Sequence, residues 1–414
     1  MVTWSALGGV IVAGVIAQLG LMTVENLRRI RARSRQSALE LEKLETELGL
    51  LRDQRRKRAE SPVAWNGFRK FQVARKVLEC RDVCSFYLAP HDRKPLPEFF
   101  PGQYLTFRLE IGALGKPTIR CYSLSAAARP DQFRVTIKRL ADPAGTNPPG
   151  LASSFFHDAV REGDLLDVKA PSGHFYLDPA SPGAVVLVGC GIGVTPVLSM
   201  LETLVAQHTP REIWFFYGVR DRSEHAMKEH LEALARDNPY LHLRACCSRP
   251  DADYQLGRDY HHQGRVSLDL LRETLPSNNF DFYICGPGPL MQSLTEGLKT
   301  WGVPDAKIHF ETFGPSSVKA IAPPKPSGQP ALSVEFKKSG RTLEWTGEHA
   351  NLLEFAEAHG ISIACGCRAG SCGTCEVAVF SGEVAYTEKC DFEAAPGCRL
   401  TCIGIPRGDV VLDA

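Results

Sequence analysis

The chain has 414 residues, with Lys plus Arg at 48 and Asp plus Glu at 47, so its formal net charge is +1. That balance argues against a nucleic-acid-binding surface as its main business, and 44% hydrophobic with 23% charged residues excludes a disordered or fibrous chain. Fourteen cysteines need a reason: Cys365, Cys367, Cys372 and Cys375 crowd one short loop, which puts a metal site ahead of disulfides, while the others are dispersed as buried thiols in a reducing compartment are.

In chain order, the first element is Ala6 to Val24, ALGGVIVAGVIAQLGLMTV, which carries no charge. As a helix it spans about 28 Å, close to the roughly 30 Å hydrocarbon thickness. Arg28, Arg29, Arg31, Arg33 and Arg35 follow it and no Lys or Arg precedes it, the reverse of a secretory signal peptide. A cleaved signal and a buried core helix are the alternatives. The positive-inside rule puts the N-terminus outside and the rest in the cytoplasm, so residues 1–24 are expected to anchor the chain in the inner membrane by a single pass. Residues 25–62 read as a long helical segment whose seam visits Leu27, Ile30, Ser34, Ser37, Leu41, Leu44, Leu48 and Leu51. That spacing suits a coiled coil, or an amphipathic helix folded onto the body. With the small-residue strip Ser5, Gly9, Ala13 and Ala17 in the anchor, it points to a parallel homodimer.

Residues 63–180 then show short alternating strands (FQVARKVLEC, CSFYLAP, QYLTFRLEI, IRCYSLS, FRVTIKRL), which predict an antiparallel β-barrel. Across 181–314 buried apolar runs (AVVLVG, IWFFYG, LHLRACC, FDFYICG) alternate with helical stretches such as PVLSMLETLVAQ and HAMKEHLEALARD. This pattern predicts an α/β domain with a parallel sheet covered on both faces. Residues 315–330 lie in a Pro-, Ser- and Lys-rich linker, and 331–414 form a last module holding the cysteine loop.

Three motif groups carry chemistry. Arg120-Cys-Tyr122-Ser123 sits on a strand and is followed by Gly150-Leu151-Ala152-Ser153 at a helix start. There, backbone N–H groups can meet a phosphate that Arg120 would match in charge; a surface Arg and Tyr need no ligand, however. Gly189-Cys-Gly191-Ile-Gly193-Val-Thr195 follows a buried strand, where glycines admit a pyrophosphate to a helix N-terminus or simply allow close packing. Cys367-x4-Cys372-x2-Cys375 with a distant Cys402 has the plant-type [2Fe–2S] spacing. Zinc competes, Cys398 is the rival fourth ligand, and Cys365 and Cys390 are surplus. The small residues between the ligands suit N–H groups packed on cluster sulfurs.

Taken together, these motifs resemble the ferredoxin–NADP reductase superfamily, and the order flavin, nicotinamide, ferredoxin is similar to reductases of the phthalate dioxygenase and vanillate demethylase type. The resemblance implies a multidomain chain: a flavin barrel, an α/β nucleotide domain and an α+β (β-grasp) ferredoxin domain, behind the anchor and helical segment. It implies FAD, with FMN possible, a [2Fe–2S] cluster on Cys367, Cys372, Cys375 and Cys402, and NAD(P)H as donor. The segment Leu400 to Pro406 resembles the closing segment of plant-type ferredoxins.

The resemblance also assigns individual residues. Arg120 would bind flavin phosphate, Tyr122 would lie along the ribityl and ring, and Ser123 would sit near N5. Ile137, Lys138 and Gly150, Leu151, Ala152 and Ser153 would add flavin contacts. Gly191, Gly193 and Thr195 would hold the nucleotide. Cys285 would lie beside the nicotinamide C4 and Glu311 near the flavin edge, making Ser123, Cys285 and Glu311 the catalytic set. Arg220, Ser248 and Arg249 lean toward a 2′-phosphate, hence NADPH. The expected activity is electron transfer from NAD(P)H through flavin and cluster to an oxygenase or haem protein, because flavin converts two-electron to one-electron chemistry. Direct quinone reduction and a flavin/cluster redox sensor are the alternatives.

Overall fold

The computed structural model describes residues 65, 67–111, 117–140, 150–208, 210–311, 313, 332–366, 368, 370, 373–387, 390, 392 and 394–414. The expected anchor, heptad segment and linker lie outside the described residues, as do Cys367 and Cys372. Among the described residues no helix is long and apolar enough to cross a membrane. The chain divides after Pro62, and Val63–Ala414 form one compact unit.

The first layer holds β1 (Arg69–Cys80), β2 (Val83–Pro90), β3 (Tyr104–Leu109), β4 (Thr118–Ser123), β5 (Phe133–Lys138) and β6 (Leu165–Val168). They form one antiparallel six-stranded sheet in the order β4-β3-β6-β1-β2-β5. Its two outer strands come back together where Leu124 bridges Val135 and the Ser125 N–H donates to the Arg134 carbonyl at 2.9 Å. Alternation explains the sheet's inner face: Phe71 and Val73 are buried while Lys70 and Gln72 face out. Helix α1 (Leu151–Asp158) plugs that interior with Phe156, whose ring meets Phe86, Phe107 and Tyr122 edge-on at 5.1, 5.3 and 5.2 Å. Lys76 Nζ donates to the carbonyls of Phe156, His157 and Val160, satisfying the end of α1 and complementing its dipole.

The second layer is a six-stranded parallel sheet of β7 (Val185–Cys190), β8 (Ile213–Val219), β9 (Leu241–Cys247), β10 (His262–Gln263), β11 (Asp281–Cys285) and β12 (Ile308–Glu311). The order β10-β9-β8-β7-β11-β12 starts in the middle, runs outward, then returns to the other side of β7. Both faces are covered, as the continuous apolar strands require. Val185 and Leu187 pack with α2 (Val194–Ala206) and α3 (Lys228–Asp237). Val186 and Val188 pack with α4 (Leu268–Thr274) and α5 (Gly288–Thr300). One boundary differs from the periodic reading: α3 begins at Lys228 rather than near His225. Met227 adopts φ 56°, and the His225 ring is buried in a hydrogen bond with the Tyr254 hydroxyl. Tertiary burial of that ring outweighs the local helix pattern.

The last module mixes β13 (Leu332–Phe336), β14 (Arg341–Trp345), β15 (Glu376–Ser381), β17 (Cys398–Leu400) and β19 (Val410–Leu412) in the order β14-β13-β19-β15-β17. A separate pair joins β16 (Val384–Tyr386) to β18 (Gly404–Pro406). Helix α6 (Leu352–Ala358) is capped by Asn351, whose side chain accepts from the Glu354 N–H at 2.9 Å. It buries Leu352, Leu353 and Phe355 against Val334, Phe336 and Leu412.

Candidate flavin, nicotinamide and cluster sites

Strand β4 presents Arg120, Tyr122 and Ser123 at one rim of the first sheet. Arg120 is exposed, with Nη1 donating to the Ile119 carbonyl at 2.7 Å. Tyr122 rests on Phe107 and Phe156, and burial pushes its hydroxyl pKa up, so the phenol stays neutral. Ser123 is 6% exposed. Gly150 caps α1 without a side chain: a Cβ there would lie 2.6 Å from Ser153 Oγ and 2.8 Å from Leu140 Cβ. Ser153 Oγ accepts from the Leu140 N–H at 3.1 Å and donates to the Gly150 carbonyl at 3.0 Å, fixing the turn. The adjacent Ser154 Oγ is buried and finds no partner in the protein. An orphan hydroxyl on the first turn of a helix with open N–H groups fits a phosphate ligand, and this donor set fits FAD. Ile137 and Lys138 answer differently. The Ile137 side chain is turned into the sheet's core at 1% exposure, and Lys138 Nζ lies 2.9 Å from Glu224 of the second domain.

In the second sheet the order reverses between β7 and β11, and ligands of such folds bind outside the carboxyl ends of the strands at that point. Here Gly189, Cys285 and Glu311 sit side by side: Cys285 pairs in register with Gly189 on β7 and with Glu311 on β12. Gly191 takes φ +57°, which a glycine adopts without strain, and Gly193 starts α2. A Cβ on Gly193 would fall 2.4 Å from the Cys285 carbonyl oxygen. Thr195 Oγ1 donates back to the Ile192 carbonyl at 3.0 Å and holds the loop shut. The cradle thus leaves backbone, not side chains, facing a nucleotide, and fits one. Cys285 is fully buried, and burial, then the nearby Glu311 charge, pushes its thiol pKa well up, so it is a neutral S–H rather than a thiolate. Beside it Cys190, pushed up to about 12 by burial, fills the space left by Gly218 and Gly286. Sequence reasoning missed Cys190; its position inside the glycine loop was the available signal.

Arg220, Ser248 and Arg249 meet at the carboxyl ends of β8 and β9. The Arg249 N–H donates to the Arg220 carbonyl at 2.7 Å and the Ser248 N–H to the Val219 carbonyl at 3.1 Å. Carboxylates share this corner: Arg220 lies 3.6 Å from Glu224, and Arg222 is 3.0 Å from Asp253.

In the last module Cys375 and Cys402 are 2% and 3% exposed and belong to one core. The Thr401 N–H and Oγ1 donate to the Cys375 carbonyl at 3.1 and 3.0 Å, joining the two cysteine segments. Cys398 stands on β17 opposite Ala378 and outside that core. Arg368, Gly370 and Gly373 all take positive φ, as a loop curling around a compact group does. A Cβ on Gly370 would strike Ile403 at 2.6 Å, so Gly370 lies directly against the core. Two buried thiols in one core, with the two further cysteines of the motif close in sequence, fit the donor set of a four-thiolate cluster. The surplus cysteines have other contacts: Arg368 Nη2 approaches Cys365 Sγ at 3.4 Å, and Cys390 Sγ donates to the Phe392 carbonyl at 3.1 Å.

Residues 70–176 match the oxidoreductase FAD-binding domain, residues 187–296 the oxidoreductase NAD-binding domain, and residues 334–407 the 2Fe-2S iron-sulfur cluster binding domain. The chain is 41% identical over 255 residues to a flavohemoprotein of Bordetella pertussis, a stretch that is 61% of this chain and 62% of that protein, so it spans less than two thirds of that relative. It is 32% identical, with TM-score 0.54, to the flavohem-like FAD/NAD-binding domain of nitric oxide dioxygenase from Vibrio cholerae, covering 60% of this chain and all of that one. Against phthalate dioxygenase reductase, described as a modular structure for electron transfer from pyridine nucleotides to [2Fe-2S], identity is 25% and TM-score 0.52, over 84% of this chain and 98% of the other. With the three domains in this order, the chain belongs to the ferredoxin–NADP reductase family as an FAD-binding, NAD(P)H-dependent oxidoreductase with a C-terminal 2Fe-2S ferredoxin domain.

Proposed function

We propose that this chain is a membrane-anchored reductase that passes electrons from NAD(P)H through FAD to the [2Fe–2S] cluster and on to a partner metalloprotein, an oxygenase or a haem protein. The observation that carries this reading is the register that sets Cys285 between Gly189 and Glu311 at the reversal point of the parallel sheet. A redox sensor has no use for such hydride-transfer geometry. FAD, when bound, takes electrons in pairs and releases them singly, which a one-electron cluster requires.

The chain's own residues do the rest. The N–H groups at the start of α1 and Ser154 Oγ would hold the flavin phosphate, with Arg120 swinging from the rim as counter-charge. The Gly191–Gly193 loop would hold the pyrophosphate at the start of α2. Cys285, neutral and immobile, would form the floor that orients the nicotinamide, while Cys367, Cys372, Cys375 and Cys402 would ligate the cluster. The uncharged run Ala6–Val24 followed by arginines supports attachment to the inner membrane with the domains on the cytoplasmic side.

The test is Cys372→Ser in the full chain. Flavin reduction by NAD(P)H and turnover with a two-electron dye should persist, while reduction of cytochrome c disappears. Loss of flavin reduction as well, in folded protein with bound flavin, refutes transfer in series. Recovery of the full chain in the soluble rather than the membrane fraction refutes the anchor alone.

A further inference from the structure

Two cations on one strand of the flavin domain face two carboxylates of the nucleotide domain. On β5, Arg134 Nη2 lies 2.7 Å from Glu202 Oε1 of α2, and Lys138 Nζ lies 2.9 Å from Glu224 Oε1 in the turn after β8. Exposed ion pairs contribute little, but the Arg134 and Glu202 side chains are only 10% and 14% exposed, so removing either strands its partner. Glu202 is also held from elsewhere. Its Oε2 accepts from the Ala127 N–H at 3.2 Å, and its Oε1 lies 2.8 Å from His230 Nε2. One turn earlier on α2, Ser199 Oγ donates to the Ala126 carbonyl at 2.7 Å. Ala126 and Ala127 closely follow Ser123, so α2 grips the segment that leaves the flavin strand.

The barrel side is equally well connected. Arg134 Nε donates to Ser125 Oγ at 3.1 Å, and Thr136 Oγ1 lies 2.8 Å from both Ser125 Oγ and Ser85 Oγ. A continuous hydrogen-bonded chain therefore leads from the interior of the first sheet to Glu202. The other end of α2 is the nicotinamide loop, where Gly193 lies against the Cys285–Gly286 peptide. Val194 and Glu202 are about 12 Å apart along a single helix.

We propose that Glu202 is a positioning residue: with Arg134, and with Lys138–Glu224 as a second point, it sets the distance between the nicotinamide loop and the Ser123 strand. The proposal rests on the hydride-transfer reading above, in which a hydride, two electrons with one proton, leaves the reduced nicotinamide and is taken up by the flavin. That step depends steeply on placement, whereas affinity for the nucleotide comes from the loop and the start of α2, which Glu202 does not touch. Losing the carboxylate charge should slow the step and spare binding.

The experiment is stopped-flow flavin reduction in the full-length, flavin-replete protein with NADH and NADPH, protiated and C4-deuterated. Glu202→Gln keeps the shape and an acceptor for Ala127. Its limiting reduction rate should fall about 10- to 100-fold with a full primary isotope effect, nucleotide Kd should stay within about twofold, and amide exchange at Ala127, whose N–H then meets a neutral and weaker acceptor, should accelerate. A wild-type rate, or equal loss in rate and affinity, overturns the proposal. If the variant loses its flavin, Glu202→Asp is read by the same rates, and unaccelerated exchange at Ala127 in either variant overturns it. Wild-type flavin that NAD(P)H fails to reduce refutes the hydride-transfer reading instead.

Discussion

Gly193→Ala is the most direct probe of the nicotinamide cradle. An added Cβ would lie 2.4 Å from the Cys285 carbonyl oxygen, 2.6 Å from its carbon and 2.8 Å from the Gly286 nitrogen, where ordinary contact begins near 3.4 Å. All three atoms are backbone, so no rotamer relieves the overlap, and the loop or the end of β11 must move by roughly 1 Å. A shift of that size at the reacting geometry costs on the order of 100-fold in rate. Overpacking should also cost about 1–3 kcal/mol of stability. The assay is single-turnover flavin reduction at saturating NAD(P)H, with unfolding followed by urea titration. Gly191→Ala is the control: its Cβ meets open space, so its cost is confined to the φ of +57°. A Gly193→Ala protein that reduces flavin at the wild-type rate refutes the close approach, as does a Gly191→Ala protein that is the slower of the two.

Cys285→Ala should lower the flavin-reduction rate more than it weakens nicotinamide binding if, as proposed, its neutral thiol orients the reacting carbon; equal losses measured by rate and by titration return it to a packing role. His225 is held neutral, its pKa lowered from 6.5 to about 4 chiefly by burial, with Lys228 adding to the effect. The unfolded chain binds the proton first, so the His225 contribution is fully present above pH 6.5 and is lost as the pH falls from there toward 4. It amounts to at most about 3 kcal/mol. Urea midpoints at pH 5 and 7.5 should therefore differ less in His225→Gln than in wild type. In isolated membranes Leu44→Cys should give a disulfide-linked dimer; its absence, with a monomeric chain beginning at Gln36, disposes of the pairing.

What sequence could reveal here follows the range of the interaction. Five strands of the first sheet and four of the second were legible because period-two alternation and continuous apolar runs are local, as were the glycine loop after β7 and the cysteine spacing; β6, β10 and β12, only two to four residues long, carry too few positions to show a period. The meeting of Cys285 with Glu311 was suggested by resemblance; its physical cause, the pairing of β11 with both β7 and β12, joins segments far apart in sequence. Lys138 shows the limit most plainly. The resemblance suggested a flavin contact, yet its Nζ is directed at Glu224, and an ion pair across two domains leaves no periodic trace. Likewise nothing local announced that His225 would be buried against Tyr254 and delay the start of α3. Arg222, close to Arg220 in sequence, lies beside Asp253, a neutralisation that only the folded corner reveals.

The pairing of β5 with the nucleotide domain bears on how this architecture can be recombined. Arg134 and Lys138 belong to the first sheet, while Glu202 and Glu224 belong to the second. A chimera cut between the two domains near residue 180 would therefore inherit two cations from one parent and whatever faces them from the other. Such hybrids should fail or succeed on the match at these four positions rather than on the wording of the join. Carrying β5, or residues 202 and 224, across with the foreign domain is the exchange that keeps each partly buried charge with its counterpart.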